Sequence, residues 1–290
     1  MDGENTENDY FLNPDKIKLF RLVYKPIDSN VKALVFICHG LFEHCQSGYL
    51  KLIINPLKDI GCMVVTHDHR GHGLSEGKRG MIYDIHSLVR DVLLDIDEVM
   101  IQQNLNKNIP VFIYGHSMGG LISVFASLER KSFFNGMCLE APALSIPKIV
   151  GKGTIFLGRI MNKVLPSISI AKSNKSYICR NLECLKEIEN DKLVIHRGLP
   201  ARSGMSIMKA LQQLKPLIKN VDTPFIIGHG DADKLCEIAG SHYFVENCSA
   251  TDKSFLTFPG AKHRLRAEID NVDVEFSTKI INWINNRMEK

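Results

Sequence analysis

Pro110-Val111-Phe112-Ile113-Tyr114-Gly115-His116-Ser117-Met118-Gly119-Gly120 is the stretch that decides how the rest of the chain is read. An apolar run of strand character enters Gly-x-Ser-x-Gly, and Leu121, Ile122, Val124, Phe125 and Leu128 follow at helical spacing. A strand turning at a serine straight into a helix is the context in which this pattern marks a nucleophile elbow. Such a turn holds the serine in a strained backbone conformation, at a cost of about 1–3 kcal/mol. Gly115 and Gly119 lack Cβ atoms, so strand and helix can pass close together. The Met118 N–H is left at a helix N-terminus, where it can face developing negative charge.

On either side of this turn the chain alternates. Residues 17–24 read as a strand, and Ala33–Cys38 is a continuous apolar run ending in His39-Gly40, as expected of a strand buried on both faces. A helix is expected over 49–57 and a further strand over 62–66, followed by His67-Asp68-His69-Arg70-Gly71-His72-Gly73. Ile85, Leu88, Val89, Val92, Leu93, Ile96, Val99 and Met100 keep helical spacing, with Asp84 or Ser87 available as the cap. After the elbow comes a strand at 137–140. The alternation then stops, and 145–220 reads as short helices without strands. It resumes with strand 225–228, helix Ile238–Asn247, strand 255–258 and a last helix over Val272–Met288. Apolar strands alternating with amphipathic helices predict an α/β fold: a mostly parallel central sheet with helices on both faces. The domain organisation expected is a flexible N-terminal segment at 1–14, a core at 15–144, a helical insertion at 145–222 and the rest of the core at 223–290.

Charge sets the insertion apart. Residues 144–222 hold 14 Lys and Arg against 5 Asp and Glu, while the remainder holds 22 against 27, within an overall net charge of +4. The 290 residues, 44% hydrophobic and 23% charged, suit a globular protein with an ample core. Residues 1–8 are acidic and polar, unlike a signal peptide, and no run of 18 apolar residues could span a membrane. The eight cysteines form no CxxC pair, and Cys38, Cys62 and Cys138 fall in apolar strands. Free thiols in a reducing, cytoplasmic compartment are expected.

A serine hydroxyl needs a base to take its proton, and the base needs an acid to orient it. Ligand sites of such sheets gather beyond the carboxyl ends of the strands, and the order expected after an elbow is serine, acid, histidine. Gly228-His229-Gly230-Asp231-Ala232-Asp233 follows one late strand, and Pro259-Gly260-Ala261-Lys262-His263 follows the next. His263 is the natural base. Asp231 and Asp233 compete as the acid, and the longer reach of Asp233 favours it. A second oxyanion donor beside Met118 should come from His39-Gly40-Leu41-Phe42-Glu43-His44, where the Leu41 N–H is the candidate.

At these residues the chain resembles the monoacylglycerol lipases and the lysophospholipase-like esterases grouped with them, over nearly all of its length after residue 15. The motifs that carry the likeness are His39-Gly40-x-x-Glu43-His44, Asp68-x-Arg70-Gly71-His72-Gly73-x-Ser75-x-Gly77, Gly115-His116-Ser117-Met118-Gly119-Gly120, Gly230-x-Ala232-Asp233-x-Leu235-Cys236 and Gly260-Ala261-x-His263. The resemblance implies an α/β-hydrolase fold, a Ser117–Asp233–His263 triad and oxyanion donors at Leu41 and Met118. It also implies a cap at 145–222 over an acyl-chain tunnel. The activity expected is hydrolysis of a lipid monoester, a monoacylglycerol, with a lysophospholipase or broad-specificity carboxylesterase as the alternative; no cofactor, metal or nucleic acid is expected. Within the cap, Arg180-Asn181 and Asp191-x-Leu193 fit the family, while Lys192 replaces a usual proline. Two departures bear on the head group. Arg266 stands where similar lipases often carry a second histidine, and an arginine frequent after the Glu-His pair is missing from a Cys45-Gln46-Ser47-Gly48 loop one residue longer. Glu43, Arg266 and Cys236 are the candidate substrate-binding residues, with Arg266 suited to an anionic or strongly accepting head group. Cys236 is equally suited to be an inert buried thiol.

Three other readings are weighed. His67, Asp68, His69 and His72 could ligate a metal, but the glycine turn argues instead for a polar turn bracing the oxyanion loop. A non-catalytic binding module on the same fold is the rival from another class; a complete triad is what separates it from an enzyme. Within the cap, Ile155, Phe156, Ile160, Met161, Val164 and Leu165 form an apolar stripe flanked by Lys148, Lys152, Arg159 and Lys163, a pattern suited to peripheral contact with a membrane surface.

Overall fold

Every residue of strand β3 (Ala33–Cys38) is buried, as a central strand covered on both faces must be. Its side chains alternate between two layers: Leu34 and Phe36 join one core cluster, Val35 and Ile37 the other. The structure, a computed structural model, describes residues 6–28, 30–146, 152–171 and 174–288. The strands around β3 are β1 (Thr6–Leu12), β2 (Lys18–Tyr24), β4 (Cys62–His67), β5 (Val111–His116), β6 (Gly136–Glu140), β9 (Phe225–Gly230) and β10 (Lys253–Phe258). They form one sheet in the order β1-β2-β4-β3-β5-β6-β9-β10. The pairings from β4 to β10 are parallel, and only β1 and β2 run antiparallel to their neighbours.

Helices α2 (Ile85–Gln102) and α3 (Met118–Glu129) cover one face, where Leu88, Val92, Leu121 and Ile122 meet Phe36 and Ile113. Asp84 caps α2, accepting the His86 N–H. Helices α1 (Lys51–Asp59) and α8 (Val272–Met288) cover the other face, with Ile53, Leu57, Phe276 and Ile284 against Val35 and Phe112. Helix α7 (Ile238–Asn247) lies between β9 and β10 in the chain.

The insertion carries α4 (Lys152–Val164), β7 (Ser169–Ala171), α5 (Leu182–Asn190), β8 (Leu199–Pro200) and α6 (Ala201–Leu217). It differs from the sequence expectation in two ways. β7 and β8 pair as a small antiparallel ribbon, and α6 is long rather than short. Leu211, Leu214 and Ile218 belong to the main core, so the insertion is welded to the domain at its far end. The Ser203 hydroxyl strengthens that joint, accepting the Ile82 N–H at 2.9 Å and donating to the Gly80 carbonyl at 2.7 Å.

The N-terminal expectation is corrected. Residues 6–12 form edge strand β1, in register with β2 from Thr6 opposite Tyr24 to Leu12 opposite Lys18. Its anchor is charge rather than apolar area: fully buried Arg21 holds Asp9 on one side and Asp95 on the other. Residues 1–5 of the expected segment lie outside the described residues.

Candidate active site

The site begins at a backbone outlier. Ser117 has φ 55° and ψ −116°, between the end of β5 and the start of α3. The turn is locked by the Ser117 N–H on the Glu140 carbonyl at 3.0 Å and the Ala143 N–H on the Ser117 carbonyl at 2.9 Å. A Cβ on Gly115 would sit 2.5 Å from the Gly119 carbonyl oxygen, and one on Gly119 would sit 2.8 Å from that of His39. Neither position admits a larger residue without moving backbone. Met118 opens the helix, so its N–H has no intrahelical acceptor. The Leu41 N–H likewise has no partner among the described residues.

Asp233 and His263 arrive from the loops that follow β9 and β10. Asp233 Oδ2 lies 2.7 Å from His263 Nδ1, while its Oδ1 accepts the Leu235 and Cys236 N–H groups at 2.7 and 3.0 Å. Burial alone would raise this carboxyl, but His263, His229 and the Cys236 N–H hold it far below the usual carboxylate range. It therefore stays ionised at any ordinary pH and fixes the Nδ1–H tautomer of His263, leaving Nε2 free as a base. Asp231 is exposed and accepts the Gly260 N–H at 2.7 Å, tying the loops after β9 and β10 together. Of the two aspartates, Asp233 is the one in contact with His263. Ser117 is partly exposed, and its hydroxyl lies 3.9 Å from Cys236 Sγ. Among the described residues it makes no hydrogen bond to His263, and catalytic contacts of this kind commonly tighten only when substrate binds.

The model of the serine aminopeptidase S33 family (Hydrolase_4) matches residues 29–270. The chain belongs to that family. It is 33% identical to the monoglyceride lipase of Rattus norvegicus over 96% of this chain and 90% of the relative. The crystal structure of the Paleococcus ferrophilus monoacylglycerol lipase superposes with a TM-score of 0.80 at 25% identity, covering 93% of this chain and 99% of that one. A soluble variant of the Saccharomyces cerevisiae monoglyceride lipase, in complex with a substrate analog, gives 0.85 at 22%, covering 98% and 96%. The α/β-hydrolase fold expected from the resemblance to monoacylglycerol lipases is the fold found.

Two of the expected substrate residues are corrected. Arg266 is fully buried: its NH1 is on the Glu140 carboxylate, its backbone N–H is 3.0 Å from the same group, and its NH2 is 3.4 Å from Glu43. A guanidinium so placed meets no head group. Glu43 is equally committed, with Gly40 N–H and His116 Nδ1 on Oε2, both at 3.0 Å, and Arg264 on Oε1. It ties the Gly40–Leu41 turn to His116 and Arg264. Cys236 does lie beside Ser117, and burial pushes its thiol up, so it is neutral.

The histidine-rich turn has the bracing role. His39 Nε2 accepts the His69 N–H at 3.0 Å, and its Nδ1 faces the Gly40 carbonyl at 2.8 Å. His67 in turn pairs with Asp95 at 2.7 Å and with His69 at 3.2 Å. Burial lowers His39 to about 4 and His72 to about 3, so both are neutral supports. Sequence reasoning missed His229, whose Nε2 lies 3.2 Å from Asp233 Oδ2 and 2.9 Å from the Cys236 carbonyl, and it missed Arg264. The position of His229 at a strand end, in the same Gly-His-Gly-Asp-Ala-Asp stretch as Asp233, was the available signal for it.

This geometry predicts a sharp asymmetry between the two aspartates. Asp233→Asn should lower kcat by about three to four orders of magnitude, because the orienting acid and its charge are lost together. Asp231→Asn should stay within about threefold, as an exposed loop hydrogen bond is worth only about 1 kcal/mol. Steady-state kinetics on both variants gives the comparison, and the reverse ranking would move the acid to Asp231.

Proposed function

We propose that this chain is a serine ester hydrolase cleaving monoacylglycerols to fatty acid and glycerol, with Ser117, His263 and Asp233 as the triad. The observation that carries the reading is the 2.7 Å Asp233–His263 contact, delivered from two separate loops to the side of an elbow serine held at φ 55°. The names of the S33 relatives support the substrate class. His263 Nε2 takes the Ser117 proton as Oγ attacks the ester carbonyl. The Leu41 and Met118 N–H groups receive the negative charge that develops on the carbonyl oxygen. Collapse of the tetrahedral intermediate releases glycerol, which takes its proton from His263. Water, activated by the same imidazole, then frees the fatty acid and restores the serine.

The insertion acts as the cap over the acyl chain. Its described surface suits a lipid interface: Ile160, Val164, Leu165, Ile168 and Ile170 are exposed, and so are Arg159 and Lys163. Lys148 and the side chains of Lys152, Ile155 and Phe156 lie outside the described residues. Among the described residues no helix is long and apolar enough to cross a membrane. Contact is therefore proposed as peripheral, with each basic residue near an anionic leaflet contributing about 1 kcal/mol. A substrate that resides in the bilayer then enters through the cap without crossing water.

Two measurements check this reading. Against a panel of monoacylglycerols and lysophospholipids, kcat/KM should be higher for the monoacylglycerols, by about tenfold or more if the buried Arg266 offers no anionic head group a partner. A preference for lysophospholipids would reassign the substrate. In co-sedimentation with liposomes, binding should rise with anionic lipid content, and a Lys152/Arg159/Lys163 triple glutamate variant should lose most of it. Binding indifferent to lipid charge, or retained by the variant, would leave the cap as a lid only.

A further inference from the structure

Arg264 follows the proposed base directly in the chain, is 4% exposed, and belongs to none of the motifs read from the sequence. Its NH2 meets Glu43 Oε1, its NH1 lies 3.8 Å from Cys184 Sγ in the cap, and its Nε has no partner among the described residues. The other oxygen of Glu43 takes the Gly40 N–H and His116 Nδ1. Gly40 immediately precedes Leu41. One carboxylate thus joins three pieces of backbone: the oxyanion loop, the elbow and the loop of the base.

Arg266 cannot replace Arg264 there. It reaches Glu43 only at 3.4 Å and spends its NH1 and backbone N–H on Glu140. Two carboxylates and two guanidiniums share this interior, so losing one guanidinium leaves a net negative charge out of water. A carboxylate in that position takes up a proton rather than remain unpaired. Protonated Glu43 is a poorer acceptor for the Gly40 N–H, and the turn behind Leu41 loosens.

We infer that Arg264 is a positioning residue: by holding Glu43 against the Gly40–Leu41 turn, it fixes the Leu41 N–H beside Ser117. The inference rests on the serine-hydrolase reading above but not on the identity of the lipid. The groups facing Glu43 are His116 from the elbow and Arg264 and Arg266 from the loop of the base. His44, Tyr49, Glu187 and Asp191 line a small cavity with it on the cap side, where His44 Nε2 and Asp191 are paired at 2.7 Å. Burial would raise Glu43, but Arg264, His116 and Arg266 outweigh it and hold the carboxyl well below the usual range. Its charge is therefore constant across neutral pH in the wild type. Without Arg264 the carboxyl rises and protonates on the acid side, so activity is lost most at low pH and returns as pH climbs.

The test uses p-nitrophenyl butyrate, a water-soluble ester that needs no lipid interface, with kcat and KM followed from about pH 6 to about pH 8.5. Arg264→Gln should lower kcat about tenfold or more, leave KM within about twofold and move the acid limb upward. Arg264→Lys, which keeps the charge, should restore most of kcat and return the limb. Wild-type kcat and limb in Arg264→Gln, or a lysine variant no better than the glutamine one, overturns the role. Should Arg264→Gln not fold, Glu43→Gln carries the test: the same fall in kcat at unchanged KM is expected, and wild-type kcat overturns it. A wild type inert toward this ester would overturn the hydrolase reading, and the Arg264 role with it. One that cleaves it but ignores monoacylglycerols overturns only the choice of lipid.

Discussion

Helix α3 passes so close to the carboxyl end of β3 that a Cβ on Gly119 would collide with the carbonyls of Cys38 and His39. That approach is the constraint from which the site follows. It sets the first N–H of the helix next to the loop leaving β3, so two donors from distant parts of the chain can converge on one point. It also forces the strand to turn within a single residue, which puts Ser117 at positive φ with its side chain at the sheet's carboxyl edge. The cost of about 1–3 kcal/mol for that conformation is carried by the surrounding hydrogen bonds to Glu140 and Ala143. Strain of this kind persists only where the neighbouring structure leaves no alternative.

Beneath the turn the interior is unusually ionic for an α/β core. Glu43, Glu140, Arg264 and Arg266 are all buried, with Tyr114 and His116 attached to them. Burying an ion pair yields little net stability, since desolvation offsets most of the attraction. What the arrangement supplies is geometry. Glu140 ends β6 and accepts from Arg266, while Glu43 lies in the oxyanion loop and accepts from Arg264. The loop that presents His263 is thereby fastened to the turn after β3 and to the end of β6, the segments that the proposed mechanism brings together. His116 completes the fastening: burial lowers its pKa, its Nδ1–H is on Glu43, and its ring packs 4.8 Å from that of His263.

The strands were legible because each central one is a continuous apolar run, a pattern that burial on both faces imposes. Strand β1 was not. Only Phe11 of its seven residues is buried, and its anchor is an Asp9–Arg21 pair that no periodicity reveals. The elbow and the two loops beyond β9 and β10 were legible because strand ends confine where chemistry can sit. Arg266 was misread as facing a head group, since its sequence neighbourhood says nothing of Glu140, 126 residues away. Arg264 carried no signal for the same reason, its partner Glu43 lying 221 residues back. Long-range charge pairing is set by the packed fold, whereas a turn is set by the few residues within it.

The central claim is that Ser117, activated through His263, is the group that attacks the ester. Labelling with a fluorophosphonate, followed by peptide mass spectrometry, tests it most directly. The account predicts a single covalent adduct per chain, on Ser117, formed readily at neutral pH. An unmodified Ser117, or an adduct on another residue such as the neighbouring Cys236, would contradict it.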